Sequence, residues 1–479
     1  MKKTAAAFCA VLSFGALASG EVDFSVPAGR VRPELHSAGY APRLYLGRRT
    51  AGFDVPEIKA LNLHATRTHD WALINQGQRV IDMHHIFPLE HLDAKDPSNY
   101  YFKATDEALR LAIEDAGLEI FYRLGTSIEH TTAKHFNTLA PKNDANYAES
   151  MAGIVRHYTR GWADGFEWPI KYWEIYNEPD CGDICWAGDG GTEEEKEDRF
   201  CRLFVTCLVR IKSEFPDLKI GGPAFSWLKW RFIGKLCDAC DEAGIRPDFL
   251  SWHCYTDDVG TIVGTAGKVR EYLDGRGWND VETVLNEWHF IDGGNWDGIQ
   301  NYSSPAMVKK VHEGAGSHWG IDSGVFNLSV LAGFQYSTLG QSYYYGSGVF
   351  EDWGYLDWDA NFTKVYHSLR LFGEIVKGYS ELVKVSCEGT THLLGATTGD
   401  GKGGCLLVCD YRGAGGEIGV KVRGVDPASV VSYSIRLFDE ARDGEEVGPD
   451  RVRLDGDTLL LRKDGPGSAA FLITFRKGY

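Results

Sequence analysis

Between about residue 33 and residue 378 the chain alternates short apolar, β-branched and aromatic runs with longer stretches of helical period. Eight runs carry the strand pattern: 33–40 (PELHSAGY), 63–70 (LHATRTHD), 117–125 (GLEIFYRLG), 172–179 (YWEIYNEP), 219–225 (KIGGPAF), 248–256 (DFLSWHCYT), 282–290 (ETVLNEWHF) and 340–348 (GQSYYYGSG). The stretches between them are amphipathic. In TDEALRLAIEDAG the apolar positions Ala108, Leu109, Leu111, Ala112 and Ile113 form one face, and Gly117 ends the pattern. In EEEKEDRFCRLFVTCLVRIKSEF the acidic first turn complements the helix dipole, so the run Glu193 to Asp198 reads as a solvated helix start. Strands that alternate with helices in this way build a parallel sheet, and eight of them close a (β/α)8 TIM barrel.

Past residue 380 the texture changes. Short strand patterns separated by Gly and Asp turns follow one another (HLLGATTGDGKGGCLLVCDY, GEIGVKVRG, VSYSIRLFD, TLLLRK, AAFLITF) with no long helical period. The expectation is an α/β chain: a catalytic barrel over 19–378 and a C-terminal β-sandwich over 379–479, with 19–32 available to add a strand to the sandwich. A chain of 479 residues suits such a division, because single cores stop growing near about 250–300 residues.

Residues 1–18 follow the plan of a signal peptide: Lys2 and Lys3, a mostly apolar run, then Ala16 and Ala18 before Ser19. The expected localisation is therefore exported, periplasmic or secreted. No later stretch reaches the roughly 18–20 apolar residues of a membrane span. A formal net charge of −17 argues against nucleic acid or an anionic membrane as partner. The 14 Trp and 22 Tyr suit either large aromatic cores or stacking on sugar rings.

In an exported chain the cysteines invite disulfides. Cys181 with Cys185 is the best local pair, and Cys387 with Cys405 or Cys409 would bridge strands. A zinc site from Cys181, Cys185, Cys237 and Cys240 has irregular spacing and is disfavoured. The His-rich DMHHIF stretch with Glu90 and His91, and Glu129-His130, read as loop packing, so no metal and no cofactor are expected.

A (β/α)8 barrel builds its site at the C-terminal ends of the strands. Polar residues gather there: Arg67-Thr68-His69-Asp70, Asn177-Glu178, His253-Cys254-Tyr255 and Asn286-Glu287-Trp288-His289. Strand alternation turns Cys254 away from His253 and Tyr255. Glu178 and Glu287 fall at equivalent places on the fourth and seventh strands, across one barrel mouth. Two carboxyls flanking a scissile bond are what most glycoside hydrolysis requires.

WEIYNEPD followed by VLNEWHF resembles the acid/base and nucleophile strands of the retaining 4/7 barrel hydrolases. With LNLHATRTHD, IGGPA and LSWHCY in order, the stretch from about 33 to 378 is most similar to glycoside hydrolase family 39, the β-xylosidases and α-L-iduronidases. The resemblance implies a double displacement with Glu178 as general acid/base and Glu287 as nucleophile. It implies that Asn177 binds the sugar 2-hydroxyl and that His69, His253 and Tyr255 line the sugar site. Trp288 and Tyr344 are further substrate-binding candidates, and Trp353 could wall a subsite. The family's iduronidases carry a Lys where this chain has Tyr255, which leans toward an uncharged sugar. The expected partner is an oligosaccharide or glycoside, cleaved in a β-xylosidase-like way. A uronide- or deoxysugar-directed enzyme and a barrel that binds carbohydrate without cleaving it are the alternatives. Neither oligomeric state nor linkage follows from the residues.

Overall fold

The computed structural model describes residues 19–39, 55–69, 71, 79–127, 140–181, 191–294, 305–346, 348–349, 354–357, 359 and 361–478. Residues 1–18 and Asp70, Glu129, His130, Cys185 and Trp353 lie outside them. Among the described residues no helix is long and apolar enough to cross a membrane.

The strand patterns close into a barrel of eight parallel strands: β2 (Ser37–Ala38), β3 (Ala65–Arg67), β4 (Glu119–Leu124), β5 (Tyr172–Ile175), β6 (Lys219–Phe225), β7 (Phe249–Tyr255), β8 (Glu282–His289) and β9 (Gln341–Tyr344). The first is shorter than its pattern, because Pro33 opens a 3-10 turn over Pro33–Leu35. Helices α1 (Val55–Ala60), α2 (Met83–Ile86), α3 (Lys103–Arg110), α4 (Asp144–Arg160), α5 (Glu193–Glu214), α6 (Trp230–Glu242), α7 (Val259–Gly275), α8 (Pro305–His312), α9 (Ile321–Gln335) and α10 (Lys364–Gly378) lie between and after them. The acidic start of α5 is fixed by a capping box, in which Thr192 and Glu195 satisfy each other's backbone N–H.

Inside the barrel Ala65, Phe121, Phe249, Val284 and Tyr343 form a closed apolar floor, with Tyr172 against it. Gly221 leaves room for Phe249, since a Cβ there would come within 2.3 Å of the Phe249 carbonyl and 2.7 Å of its ring. Period-two alternation then sends the neighbours of these floor residues outward to the helices and places the next inward residues one layer up, toward the mouth.

The remaining strands form one sheet of ten rather than two separate sheets. They are β1 (Gly20–Arg30), β12 (Glu381–Cys387), β13 (Thr391–Thr397), β14 (Gly403–Gly413), β15 (Glu417–Arg423), β16 (Val430–Phe438), β17 (Asp443–Glu446), β18 (Val452–Asp455), β19 (Thr458–Arg462) and β20 (Gly467–Lys477). Their order is β17-β16-β20-β14-β13-β12-β1-β15-β19-β18. The sheet curls so that its two halves share a core: Val420 and Leu461 from one side meet Val408, Leu437 and Phe471 from the other. Strand β1 lies antiparallel to β12 and parallel to β15. The two-stranded pair β10 (Gly348–Val349) and β11 (Gly354–Leu356) completes the strands described.

The barrel and the curled sheet meet through α9. Its sequence, IDSGVFNLSVLAGFQ, is mostly apolar with no single polar face, as a helix covered on nearly all sides requires. Phe334 packs edge-on against Trp288 of the barrel, and Phe326 lies 5.8 Å from Tyr411 of the sheet. Gly324 allows Phe438 to approach to within 2.7 Å of where a Cβ would stand.

The cysteine pairings expected across strands do not form. Cys387 lies on β12 while Cys405 and Cys409 lie on β14, with β13 between them. Two strand spacings put their Cα atoms roughly 9–10 Å apart, beyond the reach of a disulfide. Cys237 and Cys240 are buried thiols on α6, and no zinc cluster forms around them among the described residues.

Under the curled sheet Lys463 and Asp410 make a buried ion pair, with Lys463 also donating to the carbonyls of Gly413 and Gly467. Removing one member of such a pair leaves an uncompensated buried charge. We expect Lys463→Met to lower the stability of the full chain by about 3–5 kcal/mol, read as a lower denaturant midpoint. An unchanged midpoint would show that the pair contributes no net stability.

Candidate active site

The site grows from β3, β5, β7 and β8, each of which turns a polar residue inward above the apolar floor. On β3 Ala65 belongs to the floor and Arg67 stands one layer higher, fully buried. Its Nε donates to Glu174 Oε2 at 2.8 Å, its Nη1 to Glu287 Oε1 at 2.7 Å and its Nη2 to Asn177 Oδ1 at 2.7 Å. One guanidinium thus fixes three residues from two other strands.

On β5 the inward residues are Tyr172 and Glu174, and Glu174 is fully buried. It accepts hydrogen bonds from Arg67, from Ser251 Oγ at 2.5 Å and from Asn286 Nδ2. The strand ends at Ile175, and the next residues leave it through two left-handed conformations, Tyr176 at φ 81° and Glu178 at φ 46°. Such φ values cost a residue with a side chain roughly 1–3 kcal/mol and persist only where the surroundings impose them. Here Tyr176 N–H donates to Leu124 O and Glu178 N–H to Ala224 O, so neighbouring strands hold both ends of the turn. The result places Asn177 and Glu178 at the mouth. Asp180, which receives Ser226 N–H and Oγ–H, locks this loop to the end of β6.

On β7 alternation is regular. Phe249, Ser251, His253 and Tyr255 face inward, while Cys254 is buried with Trp252 among the outward core residues. On β8 it is broken. Trp252 pairs with Leu285 and His253 with Glu287, which makes Asn286 an extra, bulged residue. The bulge turns Asn286 and Glu287 to the same side, one onto Glu174 and the other onto Arg67.

At the centre, His253 Nδ1 and Glu178 Oε1 are hydrogen-bonded at 2.6 Å, and the same nitrogen lies 3.2 Å from Glu287 Oε2. The Tyr255 hydroxyl donates to Glu287 Oε2 at 2.7 Å, and His69 Nε2 stands 3.5 Å from Glu287 Oε1. Glu287 is 5% exposed and Glu178 12%, so the pair sits just below the surface of the mouth. Burial pushes the Glu287 carboxyl above the usual range, opposed by His253, Arg67 and the Tyr255 hydrogen bond and assisted by Glu178. Burial lowers His253 to about 4 and holds His69 well below the ordinary histidine value, so both imidazoles are neutral near pH 7.

Donor atoms of Glu178, His253 and Glu287 lie within 4.8 Å of one another, the one such trio found among the described residues. They are poor metal ligands as arranged. The Arg67 cation occupies one oxygen of Glu287, Tyr255 the other, and the His253 nitrogen is committed to Glu178. Among the described residues the DMHHIF stretch gathers no such group: Asp82 pairs with Arg123 and accepts from Ser127, and His84 meets Thr126.

Six of the residues singled out from sequence converge: His69, Asn177, Glu178, His253, Tyr255 and Glu287. Two do not. Trp288 faces outward, fully buried against Phe334 and Tyr344, because it follows the inward Glu287. Tyr344 likewise packs outward, on Trp288, His289 and Tyr355. The aromatic ring at the mouth is Tyr345, whose centroid lies 6.2 Å from Tyr255 and 6.3 Å from His69. A one-residue shift along YYY exchanges the faces. Glu174 and Ser251 were not anticipated, and Asn286 was placed at a strand end without a role. Glu174 was readable, since it shares the inward face of β5 with Tyr172, whereas the bulge that brings Asn286 in leaves no mark in a period-two pattern.

Comparison with known proteins agrees with this geometry. Residues 66–273 match the model of glycosyl hydrolases family 39. A β-xylosidase of Caldicellulosiruptor saccharolyticus is 31% identical over 125 residues, 26% of this chain and 23% of that protein. A β-xylosidase of Geobacillus stearothermophilus is 25% identical over 122 residues, 25% and 22% of the respective chains. The alignments therefore span less than a quarter of these relatives' length. A glucosidase from Croceicoccus marinus superimposes over 97% of this chain and 100% of its own with a TM-score of 0.72 at 20% identity, a likeness of fold. By its motifs and the family model it matches, the barrel segment 66–273 is similar to glycosyl hydrolases family 39.

Proposed function

We propose that this protein is an exported retaining glycoside hydrolase that cleaves O-glycosidic bonds by double displacement, with β-xylosidase-like action. The observation that carries the reading is the separation of the two carboxyls. A Glu178 oxygen lies within 4.8 Å of a Glu287 oxygen, which suits the roughly 5–5.5 Å of retaining enzymes and is too close for the water that inverting enzymes place between them.

In the first step Glu287 attacks the anomeric carbon while Glu178 protonates the glycosidic oxygen. The bond between that carbon and oxygen breaks, the alcohol leaves, and a glycosyl ester on Glu287 remains. In the second step Glu178, now ionised, takes a proton from water as its oxygen attacks the same carbon, and Glu287 is released. Arg67 and Tyr255 suit Glu287 to the role of nucleophile, because they fix both of its oxygens and favour the ionised form. Asn177 suits contact with the sugar 2-hydroxyl. Arg67 engages its Oδ1, and the buried Nδ2, with no partner among the described residues, is ready to donate. The substrate class follows the β-xylosidases that share the barrel motifs, and Tyr345 offers an aromatic face for a sugar ring.

On an aryl β-xyloside, Glu287→Gln is expected to lower kcat by roughly 10⁴-fold or more, and Glu178→Ala by on the order of 10²–10⁴-fold. Unaltered hydrolysis in Glu287→Gln would sink the mechanism, and the absence of activity on any glycoside would favour a binding barrel. A second expectation concerns pH. Attack requires ionised Glu287, whose pKa is raised, so kcat/KM should fall on acidification at a higher pH than an ordinary glutamate would give. Tyr255→Phe removes a hydrogen bond that lowers this pKa, so the acidic limb should move to still higher pH. A limb that stays in place in the kcat/KM profile would separate Tyr255 from the titration of Glu287.

A further inference from the structure

Strand β14 carries a bulge, seen as a break in its pairing with β20 between Asp410 and Gly413, and Arg412 within it takes the left-handed φ of 55°. The distortion aims one guanidinium out of the curled sheet and onto the barrel. Arg412 Nη1 donates to Asp257 Oδ2 at 2.7 Å, Nε to Asp322 Oδ2 at 3.0 Å, and Nη2 to Asp292 Oδ1. Its carbon also lies 5.5 Å from the Phe290 ring, and the adjacent Tyr411 hydroxyl donates to the Asp257 carbonyl at 2.9 Å. The bulge is braced from beneath by the buried Lys463, which binds Asp410 and the Gly413 carbonyl, and from the side by Ser468, which accepts Arg412 N–H.

The aspartates belong to different barrel elements. Asp257 follows Tyr255 at the end of β7, Asp292 follows Glu287 past the end of β8, and Asp322 opens α9. The first two loops are bound to each other, with Thr256 N–H donating to His289 O and Ile291 N–H to Thr256 O. Tyr255 packs on Ile291 and Val311 in the same corner.

We propose that Arg412 is a positioning residue for the barrel mouth: the curled sheet reaches over with one cation to fix the ends of β7 and β8, and through Tyr255 it fixes the hydrogen bond that holds Glu287. The proposal rests on the reading of Glu287 given above. A planar fork with fixed donor directions holds three carboxylates in one geometry, which the single ammonium of a lysine cannot reproduce. The groups that face Glu287 are Arg67 and His69 from β3 and its end, Glu178 from the turn after β5, and His253 and Tyr255 from β7. Arg412 is not among them, so its influence on Glu287 passes through Tyr255.

The test uses the full chain and compares wild type, Arg412→Lys, Arg412→Ala and Tyr255→Phe. Arg451→Ala, which removes an ion pair to Asp464 elsewhere in the sheet, serves as control. The pH dependence of kcat/KM on an aryl β-xyloside is measured together with amide hydrogen exchange. Both Arg412 variants are expected to lose roughly ten- to a hundred-fold in kcat/KM, mainly through kcat, as small misplacements at a reacting centre do. Their acidic limb should move to higher pH, as in Tyr255→Phe. Their Thr256 and Ile291 amides should exchange about ten-fold faster or more, while the barrel strands keep their protection. An unmoved limb with unchanged exchange would overturn the proposal, as would exchange accelerated uniformly through sheet and barrel. Should Arg412→Ala fail to fold, Asp257→Asn removes a single arm and carries the same readouts. If wild type cleaves no glycoside, the functional reading fails, and the exchange comparison still decides whether Arg412 holds the loops.

Discussion

The architecture of the mouth depends on one buried cation. Arg67 sits fully enclosed above the apolar floor of the barrel, where an unpaired guanidinium would be prohibitively costly. It must therefore be surrounded by acceptors, and the chain supplies them from β5 and β8 as Glu174, Asn177 and Glu287. Glu174 extends the network to Ser251 on β7 and Asn286 on β8, so four strands are registered by one set of hydrogen bonds. The left-handed turn at Tyr176 to Glu178 and the bulge at Asn286 are backbone distortions compatible with this demand. Each places a side chain that regular alternation would have sent elsewhere.

Such a network is poor evidence for stability, since burying charges costs about as much as their attraction returns. Its value lies in geometry. Glu174 has no exposure to solvent, yet it orients Arg67, which in turn fixes an oxygen of Glu287. The two carboxylates on Arg67 thus differ in kind: one is sealed inside the barrel, and the other has its remaining oxygen at the mouth beside Tyr255 and His253.

The barrel was legible because eight short apolar runs and the helices between them follow simple periods, and the polar residues cluster at the ends of those runs. Glu178 and Glu287 were found by that position together with the Asn-Glu repeats in YNEP and LNEW. What failed was registry finer than one residue. Trp288 and Tyr344 are aromatic and adjacent to the site in sequence, but alternation turns both outward, and Tyr345 takes the place at the barrel mouth beside Tyr255. The sandwich read from the short strand patterns takes the form of one sheet curled so that its two halves share a core. The contribution of Arg412 was invisible, because it arises from a bulge and from contacts between residues far apart in the chain.

Strand β1, among the first described residues, lies between β12 and β15, which come more than three hundred residues later. The curled sheet cannot close until its C-terminal strands have emerged from the ribosome. Until then β1 has no native partner on either edge, and the apolar outer side of α9 has nothing to cover it. The curled sheet, with β1 inside it, is therefore the last part of the fold that can close, after the chain of the barrel is complete.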